Sequence, residues 1–213
     1  MTPQDMIIDL ARKELGYTES PPGSNNTRYG AAYGLQGQPW CVIYLWWLFR
    51  EAGLSPLFYD GQKTASCGTL LRWARREGLT VPVDAVQPAD ITILNFHGTQ
   101  DTEHCGLVEA VLTVGSVSTI EGNTTTGATG SQDNGGIVAR KTRHAHQIVG
   151  VIRPRYQTMD YVGHWYEKDI RWGIENGILT GYPDGSYQPE KTITRAEAIA
   201  MLRRYHEMEA DLK

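Results

Sequence analysis

Apolar residues at Met6, Ile7, Leu10, Ala11 and Leu15 recur at near-helical spacing, and Thr2 followed by Pro3 supplies an N-cap and a first helical position. The chain is therefore expected to open with an amphipathic helix that ends at Gly16. From Tyr17 to Gly37 the pattern dissolves into Pro, Gly, Asn and Ser, with Pro21-Pro22-Gly23 as its sharpest break, which predicts a long surface loop. Gln38-Pro39 then opens the segment Trp40 to Glu51, apolar on nearly every side and closed at Gly53, as a helix buried in a core requires. A third helix, from about Cys67 to Glu77, sets Leu70, Leu71 and Trp73 against Arg72, Arg75 and Arg76 and stops at Gly78.

Beyond Gly78 the period changes. Asp90 to Phe96, Gly106 to Val114, Ser116 to Ile120, Gly136 to Arg140 and Gln147 to Ile152 are short, rich in Val, Ile and Thr, and separated by glycine or polar turns, so they read as strands. Helices followed by a run of strands predict an α+β domain with an antiparallel sheet. The strand pattern ends near Arg153-Pro154-Arg155, which places a domain boundary at about residue 156 and divides the chain into 1–155 and 156–213. The second part reads as a helix carrying Trp165, Ile170, Trp172 and Ile174, a turn over Gly181-Tyr182-Pro183-Asp184-Gly185, and a last helix opened by a Thr194/Glu197 capping box. A helical unit of that size is marginal alone and is expected to pack on something or on copies of itself.

Composition changes this picture little. The chain has 213 residues, 40% hydrophobic and 21% charged, as a globular protein does. Its formal charge of −4 and pI near 5.9 argue against a nucleic-acid binder. Asp5, Asp9, Arg12, Lys13 and Glu14 interrupt the first fifteen residues, unlike a secretory signal. Val42 to Phe49 is far shorter than the roughly 20 residues that span a bilayer. The expectation is a soluble protein made in the cytoplasm without its own export signal. Cys41, Cys67 and Cys105 are odd in number and lack a CxxC pair, so a free thiol is expected and a zinc site is not.

Cys41 falls in the first turn of the second predicted helix, where free N–H groups and the helix dipole favour a thiolate. A buried structural cysteine is the plainer reading of that feature alone, and it is also the reading for Cys67 and Cys105. Glu103-His104-Cys105-Gly106-Leu107-Val108 puts a histidine at the mouth of a strand, from which a base reaches a helix N-terminus. Five other histidines, His97, His144, His146, His164 and His206, keep that choice open. Ile120-Glu121-Gly122-Asn123 ends the next strand and offers two polar side chains beside His104, either of which can hold an imidazole in the tautomer that accepts a thiol proton. By itself a Glu-Gly-Asn at a strand end is an ordinary turn.

Taken in order, Gly37-Gln38-Pro39-Trp40-Cys41, His104 to Val108 and Ile120 to Asn123 resemble the CHAP family of peptidoglycan amidases and endopeptidases, over roughly residues 1 to 155. The resemblance implies a papain-like domain of N-terminal helices packed on an antiparallel sheet. It also implies Cys41 as nucleophile, His104 as general base and then acid, Glu121 as the group orienting His104, and Asn123 as a supporting polar contact, with the choice between Glu121 and Asn123 open. Backbone N–H groups near Cys41, with Gln38 as a candidate, would hold the oxyanion. The Tyr17 to Gly37 loop, with Tyr29 and Tyr33, is expected to shape the substrate groove. Some relatives bind calcium through acidic residues just before the cysteine. Here no Asp or Glu lies between Glu19 and Cys41, so no metal requirement and no cofactor are expected.

Gly163-His164-Trp165 through Glu175-Asn176-Gly177-Ile178, then Gly181 to Gly185, then Ile193-Thr194-Arg195-Ala196-Glu197, resemble one S-layer homology repeat. That resemblance implies a small all-α module that binds an anionic secondary wall polysaccharide of Gram-positive bacteria, with Arg195 and Trp165 at the binding positions. The family usually carries three repeats, so a single one implies a homotrimer or an incomplete site. The whole resembles a phage endolysin, released to the wall with help from another protein. An N-acetylmuramoyl-L-alanine amidase is the leading activity and a stem or cross-bridge endopeptidase the alternative. The rivals are a non-catalytic wall-binding protein with a structural Cys41 and a cysteine protease acting on proteins. Peptidoglycan and the wall polysaccharide are the expected partners, with no nucleic acid and no membrane.

Overall fold

The computed structural model describes residues 2–127, 130–156, 160–161, 164–182 and 186–211. Helix α1 (Pro3–Lys13) starts at a capping box: the Asp5 N–H donates to Thr2 Oγ1 at 3.1 Å and the Thr2 N–H returns the bond to Asp5 Oδ2 at 3.0 Å. The expected loop from Tyr17 to Gly37 contains a helix of its own, α2 (Arg28–Tyr33). Thr27 caps it by accepting from the Gly30 N–H, and Gly34 ends it at φ +85°, a conformation that favours glycine.

Helix α3 (Cys41–Glu51) is buried almost all round, with Val42, Ile43, Tyr44, Leu45, Leu48 and Phe49 withdrawn from solvent. Each such side chain contributes about 1.5–3 kcal/mol by burial, so the position of Cys41 is set by the core itself. Helix α4 (Cys67–Arg76) is capped by Ser66, which accepts from the Thr69 N–H.

Six strands follow: β1 (Thr80–Val81), β2 (Ile91–Leu94), β3 (His104–Thr113), β4 (Ser116–Thr124), β5 (Ile137–His144) and β6 (Ile148–Ile152). They form one antiparallel sheet in the order β1-β6-β2-β3-β4-β5. β1, too short to carry a period, pairs Thr80 with Ile152 and Val81 with Val151. β4 runs four residues past the expected end at Ile120, so Glu121 and Asn123 are inside a strand and not in a turn after it. The β3–β4 hairpin pairs Leu107 with Ile120 and Val108 with Thr119.

α3 packs on β3 and β4. Gly122 makes this approach possible, because a Cβ there would lie 2.7 Å from Tyr44 Cβ and 2.8 Å from Trp40 Cζ3. The start of the cysteine helix is thereby seated directly on the strand that carries Glu121.

The chain divides into two compact units, Met1–Tyr156 and Gln157–Lys213. The second contains α5 (Glu167–Glu175) and α6 (Arg195–Asp211). α6 opens on the Thr194/Glu197 capping box, with bonds of 2.8 and 3.2 Å. Among the described residues of this unit Tyr161, Ile178 and Tyr187 are buried, whereas Trp172, Ile199 and Leu202 stay exposed. Gly163 and Pro183-Asp184-Gly185, part of the repeat pattern read from the sequence, lie outside the described residues. Among the described residues no helix is long and apolar enough to cross a membrane.

Candidate active site

Cys41 is the first residue of α3, and Trp40 at the N-cap makes no side-chain capping bond. The N–H groups of the first turn are thus left uncapped by a side chain next to the sulfur, in the place where a helix favours negative charge. Trp40 is fully buried and its indole N–H points to Glu19 at 3.4 Å. The Glu19 carboxylate also accepts from the Gly23 N–H and, at 3.1 Å, from the Asn25 N–H. One buried acid therefore ties the loop before the cysteine to the residue adjoining it.

His104 opens β3 and is fully buried, with Nε2 3.1 Å from Glu121 Oε2. This leaves Nδ1, which has no hydrogen-bond partner, as the nitrogen available to Cys41. Glu121 is fully buried as well. Arg143 of β5 grips it with two bonds, Nε to Oε1 at 2.8 Å and the terminal nitrogen to Oε2 at 2.6 Å, and the Thr119 hydroxyl donates to Oε1 at 2.6 Å. Space for the carboxylate exists because residue 106 is glycine: a Cβ there would lie 2.6 Å from Glu121 Cγ. Sequence reasoning did not single out Arg143; alternation along β5 places it on a buried face, and a buried arginine demands an acid.

These contacts set the charges. Burial pushes the Glu121 pKa up, but Arg143 and His104 outweigh it and hold the carboxyl down at about 2. Burial likewise disfavours a charged His104, yet the Cys41 sulfur and Glu121 raise its pKa to about 9. Cys41 is held well below the ordinary thiol value, first by the thiols of Cys105 and Cys67 and then, against burial, by His104. The compensating shifts in Cys67 and Cys105 are upward. These shifts favour a thiolate on Cys41 and a proton on His104 near neutral pH, backed by an acid that is ionised there.

Asn123 is buried too, but its bonds go elsewhere. Its amide N–H groups donate to Asn134 Oδ1 at 3.1 Å and Asp133 O at 3.4 Å, and its Oδ1 accepts from the Gly136 N–H at 3.3 Å. It fastens the loop before β5, while Glu121 is the group in contact with the imidazole. Tyr29, expected in the groove, is fully buried and donates to Glu14 Oε2 at 2.5 Å. Tyr33 is half-buried against Trp46, with Lys63 over its ring. Gln38 is exposed in the turn before Trp40.

The three cysteines, scattered in sequence, meet in space. Cys41 and Cys67 have their sulfurs 3.9 Å apart, and those of Cys41, Cys67 and Cys105 all lie within 4.8 Å of one another. Nothing in their spacing along the chain signals this, because three separate elements deliver them.

In the second unit Trp165 is 87% exposed just before α5, and Arg195 is exposed at the first residue of α6. A cavity of about 380 Å³ in the same unit is lined by Tyr182, Tyr187, Lys191, Ile193 and Arg204, among others; neither Trp165 nor Arg195 lines it.

Residues 33–123 match the family model of the CHAP domain, and residues 160–199 match that of the S-layer homology domain. A cellulosome-anchoring protein of Acetivibrio thermocellus is 40% identical over 48 residues, which are 22% of this chain and 11% of that protein. The S-layer protein EA1 of Bacillus anthracis is 37% identical over 49 residues, 23% of this chain and 6% of that protein. The chain thus spans only a small part of the length of these curated relatives. Among solved structures, the wild type endolysin LysIME-EF1 superposes with a TM-score of 0.46 at 14% identity, covering 74% of this chain and 66% of that one. Ly7917 superposes with a TM-score of 0.41 at 18% identity, covering 71% and 62%.

Proposed function

From a chain that carries a CHAP domain followed by an S-layer homology domain, we infer a cysteine-dependent peptidoglycan hydrolase held to the wall by its C-terminal module. The observation that carries this reading is Cys41 at the head of a buried helix beside a His104 whose far nitrogen is fixed by Glu121.

In the proposed reaction the Cys41 thiolate attacks the carbonyl carbon of an amide in the wall. The first-turn N–H groups of α3 stabilise the oxyanion, each donor contributing roughly 3 kcal/mol. His104 gives its proton to the departing amine as the C–N bond breaks, leaving a thioester on Cys41. It then takes a proton from the water that hydrolyses the thioester, so the enzyme returns to its starting state. Glu121 keeps the imidazole aimed and charged, and Asn123 supports the site by holding the neighbouring loop. The finer assignment is an N-acetylmuramoyl-L-alanine amidase, with a stem or cross-bridge endopeptidase as the alternative, since the same groups serve both.

For the second unit the reading is capture of an anionic wall polysaccharide by Trp165 and Arg195. An aromatic ring left in solvent and a guanidinium at a helix start suit a sugar face and a carboxylate. The exposed Ile199 and Leu202 of α6 favour association of the module with its own copies as a homotrimer, which light scattering at micromolar concentration tests. The site of action is the bacterial wall.

Release of soluble fragments from purified Gram-positive walls tests the whole. The wild type releases fragments, and Cys41→Ala binds the same walls and releases none. Equal binding with no release by either protein would leave a wall-binding protein; cleavage of an unfolded protein substrate without effect on walls would leave a protease.

A further inference from the structure

The sulfur cluster has a second capacity. We propose that Cys41, Cys67 and Cys105 form a site for one thiophilic d10 cation, such as zinc or cadmium, and that filling it silences the enzyme. The silencing rests on the hydrolase reading above; the binding does not.

Geometry carries the proposal. A zinc–thiolate bond is about 2.3 Å, so two sulfurs on a tetrahedral ion sit roughly 3.8 Å apart. The Cys41–Cys67 pair is already at 3.9 Å, and the third sulfur lies within 4.8 Å of both. Closing the set needs a shift of no more than about 1 Å, within reach of a χ1 adjustment. Among the described residues these three are the group of His, Cys, Asp and Glu side chains close enough to share an ion.

Each sulfur is held at or next to the start of a regular element. Cys41 is the first residue of α3, Cys67 the first of α4, and Cys105 the second of β3. Two helix N-termini therefore converge on one cluster and each dipole favours negative sulfur, while burial and the neighbouring sulfurs hold Cys67 and Cys105 as thiols until a metal takes the place of their protons. Three thiolates around a divalent ion leave one net negative charge beside the two helix N-termini. Softness sets the selectivity: an all-sulfur set takes zinc, cadmium or cuprous ions and ignores calcium and magnesium.

On binding, three metal–sulfur bonds form and the thiol protons pass to solvent, so affinity rises with pH. The Cys41 lone pair is then committed to the metal and no longer attacks a carbonyl. No electron is transferred, and a chelator reverses the step.

The test is a titration of the full chain, reduced with a phosphine, with cadmium ion, following thiolate-to-metal charge-transfer absorption. We expect saturation at one equivalent, competition by zinc, and binding weakened by at least about tenfold in Cys67→Ala, the loss that even outer-sphere changes cause at metal sites. Cadmium NMR of the wild type, whose shift reports sulfur ligation, should count three thiolates and does not depend on any variant folding. Absence of the band at stoichiometric cadmium, or an unchanged titration in a folded Cys67→Ala, overturns the site. In parallel, one equivalent of zinc should abolish wall-fragment release and a chelator restore it. Release that persists with the site filled overturns the silencing. If the metal-free chain releases nothing, the hydrolase reading falls and the cadmium result still decides the site.

Discussion

Oε2 of Glu121 is shared: His104 Nε2 lies 3.1 Å from it on one side and an Arg143 nitrogen 2.6 Å from it on the other. Glu121 is thus neutralised before it orients anything, and the imidazole is fixed by a carboxylate that does not itself titrate near neutral pH.

Arg143→Met should therefore cost about 3–5 kcal/mol, because it removes the two-bond partner of a buried carboxylate and leaves it only His104 and the Thr119 hydroxyl. Urea denaturation reads the loss. The double replacement Glu121→Leu with Arg143→Met should regain most of that stability and none of the wall-fragment release. Recovery of both together would mean that the pair only fills space.

Glu121 and Asn123 are separable by kinetics. Glu121→Gln should lower kcat by about 10²–10⁴, the range for a disrupted acid–base group. Asn123→Ala should cost about 1–3 kcal/mol of stability, as its loop partners lose their bonds, with kcat within about tenfold of wild type. The reverse order of effects on kcat would transfer the orienting role to Asn123.

The pH profile follows from the same contacts. Cys41 is a thiolate above a pKa held well below the ordinary 9.0, and His104 keeps its proton up to about 9. The activity of the pair should form a bell with its alkaline limb near pH 9. Stability carries the opposite signature for Glu121. Its folded pKa of about 2 lies below the ordinary 4.5, so its contribution is complete above 4.5 and is lost as pH falls toward 2. A titration by pH-dependent denaturation checks the second and kcat/KM the first; an alkaline limb near 6.5 would mean that His104 is not held charged by Cys41 and Glu121.

How far the chain itself announces this arrangement depends on the residue. α1 and α3 are legible because a cap and an unbroken apolar run are local signals, and the β3–β4 hairpin is legible because its strands are adjacent. α2 escapes because its six residues are too few for a period, although Thr27 and Gly34 mark both its ends. β1 exists only through its pairing with β6. Tyr29 looks like a surface residue of a polar loop until Glu14 and Trp40 enclose it. Arg143 and the cysteine cluster depend on elements far apart in sequence, where no spacing rule reaches.

For the C-terminal unit, Trp165→Ala and Arg195→Ala should each weaken sedimentation with Gram-positive walls by about tenfold or more, the weight of an exposed aromatic or arginine anchor. Both variants should keep the fold, since neither side chain is buried. Unchanged binding in both would place the wall contact elsewhere, with the cavity lined by Tyr182, Lys191 and Arg204 as the next candidate.

Whether Cys41 cleaves an amide of the wall is read from the termini newly exposed on purified Gram-positive peptidoglycan, identified by mass spectrometry. New L-alanine N-termini are expected from the wild type alone, with stem or cross-bridge termini marking the endopeptidase alternative. New termini generated equally by Cys41→Ala, or none from either protein on walls that both bind, would contradict cleavage by Cys41.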